Sequence, residues 1–146
     1  MTKKNVLDKI KPLKLPKGSY IIYGATPFAI YGIRDVNDVD ILVSEELYEK
    51  LKKEGWKKIS KGPRDEPVTY DIFEAHTTWE FSPYAPTLSE LLTRAVEVEG
   101  IAFASLEDVR KWKKASGRPK DIMDLKLIDD YLLDHINSHQ FKQINK

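Results

Sequence analysis

Apolar positions at Val6, Leu7, Ile10 and Leu13 follow helical spacing, and Pro12 and Pro16 end the run. Ser19 to Tyr23 is β-branched and aromatic, which predicts a buried strand closed by Gly24. A short helix follows from Pro27 to Tyr31, with Thr26 as N-cap and Gly32 as its stop. Asp38 to Val43 reads as a second strand. Ser44 then caps a helix whose apolar stripe is Leu47, Tyr48 and Leu51, ended by Gly55.

Trp56 to Ile59 predicts a short strand, and the run from Lys61 to Pro67 a polar loop. Val68 to Phe73 alternates like a half-buried strand, and Thr77 to Phe81 is expected to pair with it. Leu88, Leu91 and Leu92 space as a helix. Glu99-Gly100, between Ala95–Val98 and Ile101–Phe103, is a two-residue hairpin turn. Ser105 and Asp108 form a capping box for a helix reaching Ala115. Ile122, Leu125, Ile128, Leu132 and Ile136 lie on one face of a last helix, Asp121 to Ile136, and the polar residues after it are expected to fray. Alternating strands and helices predict an α/β (α+β) domain at residues 1–104. A C-terminal helical appendage, residues 105–146, packs on it in a single structural unit.

Composition narrows the function. The 146 residues carry 24 Lys and Arg against 23 Asp and Glu, a net charge of +1. No global cationic field is present to hold a nucleic-acid backbone by charge alone. Cysteine is absent, which removes disulfides, thiolate nucleophiles and zinc-finger sites. No apolar run reaches the roughly 18 residues of a membrane span, and no apolar segment follows the basic start. The expectation is a soluble cytoplasmic protein with no membrane partner.

The chemistry concentrates at Asp38 and Asp40. Two apart on a strand, they point to one face, and two carboxylates held together repel unless a cation sits between them. Oxygen donors favour Mg²⁺ or Mn²⁺. The plainer reading is a pair of solvated acids, or acids paired with Arg34. Gly24 ends the preceding strand where a helix begins, so backbone N–H groups there offer an anion site that glycine lets a phosphate approach. A phosphate cradle beside a metal site suits phosphoryl or nucleotidyl transfer.

Tyr23-Gly24-Ala25 followed by Asp38-Val39-Asp40-Ile41 resembles the signature of the polymerase β-like nucleotidyltransferase superfamily. Ala29 to Arg34 and the tail Gly117-Arg118-Pro119-Lys120-Asp121, with Asp124, are similar to uncharacterised small nucleotidyltransferases and to AbiEii-type toxins of toxin–antitoxin systems. The resemblance implies a mixed twisted sheet with flanking helices. Asp38 and Asp40 would hold Mg²⁺, and Gly24 with its neighbours would contact the phosphates of an NTP. The superfamily carries a third acid on a later strand; Asp71 is the candidate for metal and catalysis, with Glu74 and Glu80 as reserves. Ala25 stands where the family has Gly or Ser, so Thr26 or the backbone alone would meet the phosphate.

Arg34, Lys113, Arg118 and Lys120 are the cationic candidates for the nucleotide. The alternative is that the Lys-Asp-x-x-Asp run ties the last helix to the core. His76 lines an acceptor pocket or lies on the surface, and Tyr23, Trp56, Phe73 and Trp79 read as core. The resemblance implies NMP transfer from an NTP to a hydroxyl of a small molecule, protein or tRNA. A non-catalytic nucleotide-binding or protein-interaction module is the competing expectation; a second copy of the chain or a cognate partner protein is the expected macromolecular partner.

Overall fold

The computed structural model describes the backbone of residues 1–144 and the side chains of residues 1–135. The expectation for the Ile136 side chain lies outside the described residues.

Among the described residues, six α-helices and a short 3-10 helix (Lys11–Leu13) accompany one mixed sheet. The strands are β1 (Tyr20–Tyr23), β2 (Val39–Val43), β3 (Lys57–Lys58), β4 (Val68–Tyr70), β5 (Phe73–His76), β6 (Val96–Val98) and β7 (Ile101–Phe103), in spatial order β3-β4-β5-β2-β1-β7-β6. The helices are α1 (Lys3–Ile10), α2 (Pro27–Ile30), α3 (Glu45–Lys53), α4 (Leu88–Thr93), α5 (Leu106–Ser116) and α6 (Pro119–Ile144). β1 pairs antiparallel with β2 and parallel with β7, and β2 pairs parallel with β5.

The central strands are buried throughout β1, as their unbroken apolar sequence requires, and Ile21, Ile22, Val39 and Ile41 are fully enclosed. Phe28 of α2 and Phe103 of β7 are the largest wholly buried apolar side chains. Each such side chain contributes roughly 1.5–3 kcal/mol on burial. α5 packs on α6 and on α2, and Trp112 of α5 meets Trp79 edge-on at 5.4 Å.

The Glu99-Gly100 turn forms as the pattern predicts. Both residues have positive φ, 49° and 81°, the two-residue geometry whose twist matches the flanking strands. Three expectations change. The run from Val68 is not one strand: the chain turns at Asp71, whose φ is +53°, and pairs β4 with β5 in a hairpin. Aspartate tolerates that backbone better than a branched residue does. Thr77 to Phe81 is consequently not the paired strand, and is irregular up to a single bridge between Phe81 and Tyr84. The last helix also starts earlier, at Pro119, and runs to Ile144, because no Gly or Pro interrupts it.

Candidate functional site

The end of β1 and the start of β2 lie side by side, with Tyr23 opposite Asp40. Gly24 turns the chain away at φ +66°. A Cβ on it would stand 2.6 Å from Asp40 Oδ2, so glycine is required both by the backbone and by the carboxylate beside it. Thr26 is buried and does not cap α2. Its hydroxyl donates to the Asp38 carbonyl at 3.2 Å and accepts from the Asp40 N–H at 3.1 Å. This hydroxyl pins the backbone that carries both aspartates. Ala25 is half-buried beside it, and Asp38 itself is exposed just ahead of β2.

The parallel pairing of β2 with β5 sets Glu74 opposite Asp40 and His76 opposite Leu42. The two-residue period of β5 turns Glu74 and His76 to the same face. One ligand atom each from Asp40, Glu74 and His76 lies within 4.8 Å of the others. Burial first, then the facing Glu74 carboxylate, then Asp38, push the Asp40 carboxyl up to about 7, against the pull of Lys61 and Lys113. Asp71 is elsewhere. It sits half-exposed in the β4–β5 turn, 3.4 Å from Lys9, and takes no part in the cluster. Glu74, one of the two reserves, is the acid that stands opposite Asp40, because the turn at Asp71 shifts the later strand to Phe73–His76.

The β3–β4 loop closes on the cluster. Lys61 Nζ lies 2.5 Å from Glu74 Oε1, and Asp65 Oδ1 lies 3.2 Å from His76 Nδ1. A tight turn holds the two loop residues together, with the Lys61 N–H donating to the Asp65 carbonyl at 2.8 Å. The cluster forms the floor of a cleft of about 470 Å³, whose walls include Arg64, Trp79, Phe81, Trp112 and Arg118. A more open hollow of about 670 Å³ is lined by none of the three cluster residues. Lys61, Arg64 and Phe81 carry no motif in the sequence, and His76 offered only its place after a strand.

The expected nucleotide-binding cations are mostly occupied. Lys113 is 2% exposed and bridges Asp121 at 3.0 Å and Asp124 at 2.9 Å. Arg34 grips Asp124 through Nε and Nη2, at 3.2 and 3.1 Å, and stacks on Phe28. Arg118 holds Asp121 through Nε at 2.8 Å and Nη2 at 3.2 Å while lining the cleft. Burial alone would raise the Asp121 and Asp124 carboxyls; hydrogen bonds from Arg118 and Lys113, and from Arg34 and Lys113, outweigh it and hold both below the usual range. Lys113 and Arg34 thus lock α6 to α5 and α2, as the alternative reading of the Lys-Asp-x-x-Asp run expects. Lys120 is exposed on α6 and lies outside the cleft lining.

At the level of sequence, no family model and no curated protein matches the chain. Two solved structures are similar in fold. A candidate nucleotidyltransferase from Thermotoga maritima is 21% identical with a TM-score of 0.57, over 86% of this chain and 93% of that one. ANT(2″)-Ia, in complex with adenylyl-2″-tobramycin, is 14% identical with a TM-score of 0.52, over 98% of this chain and 96% of that one. The fold is that of the nucleotidyltransferases. Within the nucleotidyltransferase fold of this chain, Asp40, Glu74 and His76 stand on adjacent central strands, and two carboxylates with one imidazole are donors that fit Mg²⁺ or, with the nitrogen, Mn²⁺ more closely. No helix among the described residues is long and apolar enough to cross a membrane.

Proposed function

We propose that the chain transfers a nucleoside monophosphate from an NTP to a hydroxyl acceptor, with a divalent ion held by Asp40, Glu74 and His76 and with Asp38 at the rim. The observation that carries the reading is the Asp40–Glu74 pair, two carboxylates brought face to face on neighbouring strands at the floor of a cleft. Such a pair costs stability unless a cation joins it. When bound, the ion supplies charge compensation for the phosphates of the nucleotide.

The chain's own residues account for the rest. Gly24 leaves the space that keeps the Asp40 carboxylate at the floor. Thr26 fixes the backbone of Asp38 and Asp40. Arg64 offers a guanidinium group at the wall for phosphate, and Phe81 offers a ring face for a base. In the reaction the acceptor oxygen bonds to the α-phosphorus, the bond to pyrophosphate breaks, and the hydroxyl proton passes to a carboxylate of the cleft. The acceptor class, whether small molecule, protein or tRNA, is part of the proposal and not of the fold.

One observation favours a second reading, a catalytically silent module that binds nucleotide or protein. Lys113, Arg34 and Lys61 spend their charge on internal carboxylates. The experiment that separates the two is calorimetric titration of Mn²⁺ with each NTP into wild type and Asp40→Asn, followed by incubation with α-labelled nucleotide. Metal-dependent binding lost in the variant, with label transferred or pyrophosphate released, supports the enzyme. Binding without release supports the module, and absence of any metal-dependent binding to the folded wild type overturns the metal site itself.

A further inference from the structure

Helix α6 is anchored on one side and exposes apolar side chains on the other. Its inner side carries Asp121, Asp124 and Ile128 against the body of the protein. Its outer side carries Met123, 71% exposed, Leu133, 56% exposed, and Leu127, 39% exposed. At 100° per residue these three fall with Lys126 and Asp130 on one stripe, opposite Ile128. Three of the nine exposed large apolar side chains among the described residues lie on this stripe, and Ile122 and Leu132 of the same helix are exposed beyond it, so apolar exposure is concentrated on α6.

The charges on the stripe say what covers it. The ion pairs of α6 among the described residues use Asp121, Asp124 and Asp129; Lys126 and Asp130 are exposed and in none of them. The stripe is its own complement when reversed. Met123 precedes Ile128 by as many residues as Leu133 follows it, and Lys126 and Asp130 flank Ile128 in the same way. Two copies of α6 laid antiparallel about a two-fold axis at Ile128 therefore set Met123 on the partner helix's Leu133 position and Lys126 on its Asp130 position, twice over, with Leu127 beside the axis. A two-fold interface requires this self-complementarity. A parallel pairing would set Lys126 against Lys126 and Asp130 against Asp130, which like-charge repulsion disfavours.

We propose that the outer face of α6 is a homodimer interface in which the helices of two copies pack antiparallel about a two-fold axis level with Ile128. The contacting stretch from Met123 to Leu133 is about 15 Å long, which suits a reversible dimer whose population depends on concentration. Both clefts remain open, because the inner side of α6 faces its own chain.

Sedimentation velocity over a hundredfold range of protein concentration tests the proposal, together with Lys126→Glu, Asp130→Lys and the double variant. The wild type is expected to shift from monomer to dimer. Each single reversal should weaken association about tenfold or more, and the double variant should recover it, because the swapped charges again face their opposites. Circular dichroism confirms that these exposed substitutions leave the fold intact. The chain has no cysteine, so orientation can be read directly. Mixed Met123→Cys and Leu133→Cys proteins should cross-link to each other on mild oxidation and poorly to themselves. A wild type that stays monomeric throughout, a dimer indifferent to both reversals, or cross-linking of Met123→Cys chiefly to itself would overturn the proposal.

Discussion

Asp40 of β2 and Glu74 of β5 are direct partners in a parallel strand pair, and Lys61 reaches across from the β3–β4 loop to lie 2.5 Å from Glu74. The loop lysine occupies the place of a counter-ion to the two acids. A divalent ion at Asp40, Glu74 and His76 has to compete with it. Lys61→Met is therefore expected to tighten Mn²⁺ binding several-fold, and the same substitution should lower the thermal stability of the metal-free protein. Electron paramagnetic resonance of Mn²⁺ and differential scanning calorimetry measure the two effects; unchanged or weaker Mn²⁺ binding would remove Lys61 from this role.

Removing a proposed ligand acts in the opposite direction. Asp40→Asn and Glu74→Gln should each reduce Mn²⁺ affinity by at least the roughly 10–100-fold typical of losing an outer-shell partner. Asp71→Asn should leave it unaltered, since Asp71 pairs with Lys9 in the turn. Equal losses from all three substitutions would contradict the placement of the third acid at Glu74.

The raised Asp40 carboxyl makes stability depend on pH. It titrates near 7 in the native protein, against 3.8 for an ordinary aspartate. Between those values the native state holds a proton that the unfolded chain has released, so its contribution falls as pH rises through the window and is lost above about 7. Asp40→Asn cannot make that transition. In thermal unfolding with chelator present, the variant should gain on the wild type as pH rises from about 4 to about 7 and hold its advantage above that. A constant difference at all pH values would mean that Asp40 titrates normally.

Gly24 is predicted to be intolerant of any side chain. Alanine there adopts φ +66° at a cost of about 1–2 kcal/mol and drives its Cβ into the Asp40 carboxylate. Gly24→Ala should be destabilised in urea titration by at least that amount, and its Mn²⁺ binding should fall with the displaced carboxylate. Gly18, whose added Cβ would meet nothing within 4 Å, is the control for backbone strain alone.

Lys113 anchors the C-terminal helix. Lys113→Met leaves two buried carboxylates short of a partner, and loss of one member of a buried pair costs about 3–5 kcal/mol. Asp121 and Asp124, held below the usual carboxylate range, have the opposite pH sign to Asp40. Their stabilisation is complete above pH ~3.8 and is lost as pH falls through their native values. Acid unfolding monitored by tryptophan fluorescence should begin at higher pH in Lys113→Met than in the wild type.

Local pattern determined much of this molecule. Tyr20–Tyr23 forms a strand because its unbroken β-branched and aromatic residues suit buried extended chain, and Val39–Val43 does so with Asp40 as its one polar residue. Glu99-Gly100 turns because its length and residues fit a hairpin, and Gly24 and Asp40 stand out because a strand ending in glycine and an acid on the next strand are both short-range features. The cluster needed tertiary structure. Glu74 and His76 join Asp40 through a parallel pairing of strands more than thirty residues apart, and no local period encodes that register. A single left-handed residue, Asp71, decides which acid arrives. The cations tell the same story: Lys113, Arg34 and Arg118 read as phosphate ligands in sequence, and only packing shows their charge spent on Asp121 and Asp124. Spacing along a chain states what a residue can do, while burial and nearest partners decide what remains available to a ligand.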